Sequence, residues 1–173
     1  GFYRRPEGPA GHFTTSTHGA LGAVLAEAVA ALADREGARH VVDVGAGRGE
    51  LLTHLRALRP GLALTGVDVV DRPDGIPDGV AWLRSPGGAA LPDELGTVLA
   101  QGGPALVVAH EWLDVVPCTI AEVDGDGVLR EVLADPRSGA ELLGPAVEEG
   151  DREWARRHWP AHRPGARVEI GRA

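Results

Sequence analysis

The sequence predicts an α/β fold, a doubly wound and mostly parallel sheet with a β-hairpin inserted after its fourth strand. Three observations carry this. A β-branched run, His40-Val-Val-Asp-Val44, passes straight into alternating glycines at Gly45, Gly47 and Gly49, and an apolar helical pattern follows. Strand-like and helix-like segments then succeed one another as β-α-β-β-α-β, the order of a sheet covered by helices. Finally, Thr119 to Val123 and Val128 to Leu133 flank Asp124-Gly-Asp-Gly127, the signature of an antiparallel hairpin.

Taken in order, residues 1–16 are rich in Gly, Pro and Thr and read as a front loop. Ser16 or Thr17 is placed to cap a helix. Leu21, Val24, Leu25, Ala28, Val29 and Leu32 recur at helical spacing and predict its apolar face, with Gly37 as the stop. Strand one is Val41 to Val44. Leu51, Leu52, Leu55 and Leu58 mark the second helix, ended by Pro60-Gly61. Strand two runs from Leu62 to Val67 and ends in Asp68. The stretch Asp71 to Gly79 is turn material, and Val80 to Leu83 is a short third strand before Arg84-Ser85-Pro86. Pro92 to Leu99 reads as a short helix. Ala105 to Ala109 is a continuous apolar strand, as parallel sheets favour. Beyond the hairpin, residues 145–159 read as a polar helix and Arg167 to Ile170 as one more strand.

The chain of 173 residues is long enough for one domain with a real core. Its formal net charge of −8 argues against a nucleic-acid surface, which needs a basic patch. All 17 basic residues are arginine, a composition read as codon bias. One cysteine, Cys118, makes no internal disulfide; it suits a reducing cytoplasm and reads as a packing residue. No apolar run reaches membrane-spanning length and no signal peptide is visible. The chain opens on Gly1, not Met, so the natural N-terminus is expected upstream. His18, His40 and His54 lack metal-ligand spacing, and no metal site is expected. Oligomeric state is not legible.

The glycine turn is the chemical centre of the sequence. Glycine has no Cβ and accepts positive φ, so such a turn lets bare backbone approach a ligand at a helix N-terminus. Asp43, at the end of strand one, is placed to accept hydrogen bonds from the loop or a cation. Asp68, 21 residues after Gly47, is placed to grip both hydroxyls of a ribose. The dinucleotide fingerprint would need a third glycine where Glu50 stands, and Glu50 would repel a pyrophosphate. A nicotinamide-dependent oxidoreductase is therefore the weaker alternative. The second constellation is Ala109-His-Glu-Trp-Leu-Asp-Val-Val-Pro117, which follows strand four. It sets His110, Glu111 and Asp114 beyond the carboxyl ends of the strands, where ligands sit. Carboxylates there suit a cationic acceptor, or else cap a helix. His110 is able to orient an acceptor or take a proton. Trp112 and Leu113 read as core.

Together these segments resemble the MidA-like methyltransferases that use S-adenosylmethionine (SAM), a family that includes the mitochondrial arginine methyltransferase of complex I assembly. The front loop Gly11-His-Phe-Thr-Thr-Ser16 is similar to the family's Gly-Asp-Phe-x-Thr, with Phe13 and Thr15 at matching positions. Val42-Asp-Val-Gly-Ala-Gly-Arg-Gly49 matches its acidic-x-Gly-x-Gly-x-Gly loop, and the segment from Ala109 to Pro117 is similar to Ala-Asn-Glu-Phe-Phe-Asp-Ala-Leu-Pro. The likeness spans residues 1 to about 145. It implies a Rossmann-like methyltransferase domain over 1–173 whose later strands lie beyond this chain. It implies SAM held by Phe13, Thr15, Asp43, Gly45, Ala46, Gly47, Gly49, Asp68, Val69 and Ser85, with Ser85 near the adenine. Glu111, His110 and Asp114 then form the catalytic set, and the methyl acceptor is the partner, a protein arginine being one candidate. His110 stands at the family's asparagine, His12 at its aspartate and His18 at its usual glutamate. A non-catalytic assembly protein with a vestigial SAM pocket is the alternative of a different class.

Overall fold

The computed structural model describes residues 16–17, 19–88, 90–101, 103–159 and 163–171. Its contacts group into two compact units, Gly1–Val115 and Val116–Ala173. No helix among the described residues is long and apolar enough to cross a membrane.

In the first unit, α1 (Gly19–Glu36), β1 (His40–Val44), α2 (Glu50–Leu58), β2 (Ala63–Asp68), β3 (Val80–Arg84), α3 (Glu94–Gln101) and β4 (Ala105–Val108) follow in order. The strands form one parallel sheet in the order β3-β2-β1-β4, with Asp43 beside Gly66 on one flank and Val108 on the other. This is the Rossmann-like arrangement that the sequence predicts. Side chains of β1 alternate between the two faces, as strand geometry requires. Val41 joins Leu51, Leu52 and Leu55 of α2, Leu64 of β2 and the small residues of α1. Val42 and Val44 face the other way, toward Val67, Leu95 of α3 and Trp112. Helices thus cover both faces.

The buried stripe of α1 differs from the predicted one. It consists of Gly22, Ala26, Val29, Ala30 and Ala33, while Leu21 and Val24 are 60% and 62% exposed. The reason is close approach: α1 packs on α2, and a Cβ on Gly22 would stand 3.1 Å from His54 Nε2 of α2. Small residues fit that contact better than leucines do. The fourth strand also departs from expectation. It is shorter and pairs only with β1 among the described residues, leaving Val107 48% exposed at a sheet edge.

The second unit holds β5 (Cys118–Val123), β6 (Leu129–Ala134), β7 (Glu141–Ala146), α4 (Glu149–His158) and β8 (Arg167–Gly171). The predicted hairpin is β5 and β6, antiparallel with Val123 opposite Leu129. It belongs to a separate antiparallel sheet, β7-β6-β5-β8. Strand β7 was not expected, and the helix expected over 145–159 is confined to α4. Pro145 conceals the strand in the sequence, because proline argues against one; β7 pairs only with β6 among the described residues, an edge position where proline is tolerated. Cys118 is free and exposed at the start of β5, not packed.

Candidate functional site

Strand β1 delivers the glycine turn to the carboxyl end of the parallel sheet. Gly45, Gly47 and Gly49 all have positive φ, at 77°, 60° and 77°. Two of the three are crowded. A Cβ on Gly49 would overlap Ile76 Cδ1, and one on Gly45 would stand 3.0 Å from Trp112 Cδ1. Gly47 is different, since among the described residues a Cβ there would meet nothing nearer than Glu50 Oε2 at 3.9 Å. The turn is tied to β2 by the Gly45 and Ala46 amides, which donate to the Val67 carbonyl at 2.8 and 3.2 Å.

Asp68 closes the turn from the end of β2. Its Oδ2 accepts the Gly47 N–H at 2.8 Å and its Oδ1 accepts the Val70 N–H at 3.2 Å. Each carboxylate oxygen keeps further lone-pair capacity. Asp43 lies beneath the turn and is 4% exposed. Burial, with Asp68 and then Glu50 nearby, pushes its carboxyl up to about 7. The site therefore concentrates acid groups, and one of them holds its proton near neutrality. Val69 flanks the next loop, with its Cγ1 3.4 Å from where a Cβ on Gly87 would sit. Ser85 uses its hydroxyl inside that loop, donating to Ala90 O at 2.9 Å and accepting from Gly87 N at 3.1 Å. Its backbone N–H donates to the Asp68 carbonyl at 2.7 Å, which fixes the loop beside the site.

The segment after β4 borders the turn, because Trp112 packs against Gly45 and into the core of Val42, Val44 and Val67. Trp112 is core as expected, whereas Leu113 is 70% exposed. Glu111 has φ 55°, the one positive value among the described non-glycine residues. Such strain clusters at functional sites. It sends Trp112 inward while the Glu111 side chain stays 45% exposed. His110 Nε2 is hydrogen-bonded to Ser16 Oγ at 2.8 Å and lies 3.9 Å from Glu111 Oε1. The sequence gives no signal of the Ser16 contact, which spans 94 positions. Asp114 sits within a single 3-10 turn, Leu113–Val115, so no helix opens here for it to cap. Phe13 and Thr15, with His12 and His18, lie outside the described residues. Among the described residues, no group of three or more His, Cys, Asp or Glu is placed to hold a metal ion.

Solved structures similar to this chain include two from one organism. One is a COG1565 superfamily member and candidate methyl transferase from Burkholderia thailandensis bound to S-adenosyl-homocysteine. It is 25% identical over 86% of this chain, with a TM-score of 0.52. The other is an uncharacterized COG1565 superfamily protein from the same organism, 27% identical over 99% of this chain, with a TM-score of 0.57. This chain spans 40% and 48% of their respective lengths. No family model and no curated protein matches it.

Proposed function

We propose that this chain binds SAM at the glycine turn and serves a SAM-dependent methyltransferase, MidA-like in its acceptor segment, with a protein arginine as one candidate acceptor. The observation that carries this reading is Gly47. It holds a left-handed conformation, and among the described residues only Glu50 Oε2 stands within 4 Å of where a side chain would project, beside two acidic strand ends. Packing explains Gly45 and Gly49; close approach of a ligand explains Gly47. The S-adenosyl-homocysteine bound to one similar protein supports the choice of ligand.

The residues present fit that group. Asp68 offers charge-assisted hydrogen bonds to a ribose while bracing the turn through Gly47. Val69 and the Ser85 loop line the same edge of the sheet. Asp43 supplies buried acidity under a cationic ligand, and a cation nearby favours its charged form. Bound SAM would supply an electrophilic methyl on a sulfonium. The work left to the chain is orientation and exclusion of water. His110, Glu111 and Asp114 stand on the acceptor side, and the carboxylate of Glu111 suits a cationic acceptor.

Calorimetry with SAM, S-adenosyl-homocysteine and NAD tests the reading. The first two are expected to bind and NAD is not. Asp68→Ala is expected to weaken SAM roughly 10- to 100-fold, the loss of a hydrogen bond to a charged group. Equal affinity in wild type and variant removes Asp68 from the ligand, and NAD binding in place of SAM overturns the assignment. Glu111→Gln is expected to keep SAM affinity and to lose transfer of labelled methyl.

A further inference from the structure

The contact between Ser16 and His110 joins two segments 94 positions apart at the edge of the glycine turn. Two polar groups among the described residues, Ser16 and Glu111, face one ring nitrogen of His110. Ser16 Oγ is 2.8 Å from Nε2 and Glu111 Oε1 is 3.9 Å from it. An ionised carboxylate only accepts hydrogen bonds, while a serine hydroxyl donates or accepts. A proton on Nε2 donates to Ser16 Oγ and turns positive charge toward the carboxylate; a bare Nε2 would set a lone pair against it. The arrangement therefore favours Nε2–H, with Nδ1 bare. The His110 side chain is 26% exposed.

We propose that Ser16 is a positioning residue that, with Glu111, holds His110 as its Nε2–H tautomer so that Nδ1 takes the proton of a protic methyl acceptor. This rests on the methyltransferase reading above. A nitrogen or oxygen nucleophile carrying hydrogen attacks the methyl carbon. Its bond to carbon forms as the carbon–sulfur bond breaks, and that electron pair stays on sulfur, which becomes a neutral thioether. The hydrogen on the nucleophile leaves as a proton to Nδ1. The resulting imidazolium lies beside the Glu111 carboxylate, which stabilises its charge. The substrate class is thus an amine, amide, guanidine or hydroxyl group, and not a thioether or tertiary amine, which has no proton to lose.

The test is nitrogen NMR of the histidine rings in the whole chain, with His110 assigned by His110→Gln. In unliganded wild type at mildly alkaline pH, Nε2 is expected to carry the proton and Nδ1 to be bare. Ser16→Ala is expected to mix the two tautomers, and Ser16→Thr to restore the single one. A proton on Nδ1 in wild type, or a ring unchanged in Ser16→Ala, overturns the proposal without any reference to SAM. Radiolabelled SAM with a cell lysate as acceptor pool provides the second arm. His110→Gln is expected to slow transfer about 100-fold and Ser16→Ala about tenfold, with SAM affinity held within about twofold. Adding Ser16→Ala to His110→Gln is expected to cost nothing further, since Ser16 acts through His110. An additive loss, or a loss of SAM affinity that accounts for the slower transfer, overturns the proposal. Failure of wild type to bind SAM removes the methyltransferase reading instead, and leaves the ring measurement standing as a separate result.

Discussion

The two compact units are stabilised differently, and only one of them carries strained backbone next to candidate chemistry. The parallel-sheet unit buries large aliphatic side chains: Val41, Leu52 and Leu55 are fully buried and Leu51 and Leu64 nearly so. The antiparallel unit buries smaller side chains, Ala121, Val123, Val147, Ala155, Val168 and Ile170, with Leu129 and Trp159 packed alongside four of them. It adds cross-strand ion pairs, Arg167 with both Glu122 and Glu141, and Arg130 with Asp124. Their arginines stay partly exposed to water, which screens such pairs, so each contributes little. A deep aliphatic core, by contrast, holds left-handed glycines, a left-handed Glu111 and a buried carboxyl in place despite their cost. The unit with the surplus of burial is the one that holds the candidate site.

The largest expected effect breaks the parallel unit from within. Gly49→Val places a β-branched residue at φ 77° and against Ile76, for a loss of roughly 3–5 kcal/mol. Chemical denaturation is expected to show the loss, and a variant as stable as wild type would mean that Ile76 yields freely. Next is pH. Folded Asp43 keeps its proton up to about 7, while its ordinary value is 3.8. The folded state therefore binds the extra proton between those values. The associated stability is full below 3.8 and is lost as pH rises through about 7. Wild type is expected to lose roughly 3 kcal/mol between pH 5 and 8 from this group, and Asp43→Asn to abolish that part of the slope. His40 works the other way, since burial lowers it and its contribution falls as pH falls; the wild-type minus variant difference isolates Asp43. Ile170→Ala probes the other unit, at roughly 2–4 kcal/mol. Hydrogen exchange is expected to quicken across β5 and β8 while β1 and β2 keep their protection. Equal loosening in both sheets would mean that the units unfold together.

The parallel half was legible because its signals are local. Val41 to Val44, the glycines and Asp68 declare strand, turn and strand end within short windows, and the register of β1 on β2 then follows. The stripe of α1 was misread because hydrophobicity alone favours Leu21 and Val24, whereas the contact with α2 selects Gly22, Ala26 and Ala33 for size. Strand β7 was hidden by Pro145, which is harmless at an edge. In the site, Asp43, Gly47, Asp68 and Glu111 were legible as residues. Their differences were not: Gly45 and Gly49 are packed and Gly47 is open, a distinction made by Trp112 and Ile76 across the fold. The bond from Ser16 to His110 was invisible for the same reason, since no periodicity links positions so far apart.

The smallest expected effect on stability sharpens the comparison most, because it separates a glycine kept for the fold from one kept for a ligand. Gly47→Ala adds one methyl at φ 60°, in space where, among the described residues, only Glu50 Oε2 comes within 4 Å. The left-handed conformation costs an alanine about 1 kcal/mol, and no neighbour has to move. The fold should therefore survive, with a melting transition close to that of wild type. The same methyl occupies the approach to the turn at Gly47, so SAM affinity is expected to fall by about 100-fold, and further in Gly47→Val. Calorimetry and thermal denaturation on the same sample decide between the two roles. Large loss of affinity with small loss of stability identifies Gly47 as the ligand-facing glycine. Unchanged affinity would mean that its open face is only solvent, and would move the ligand away from the turn.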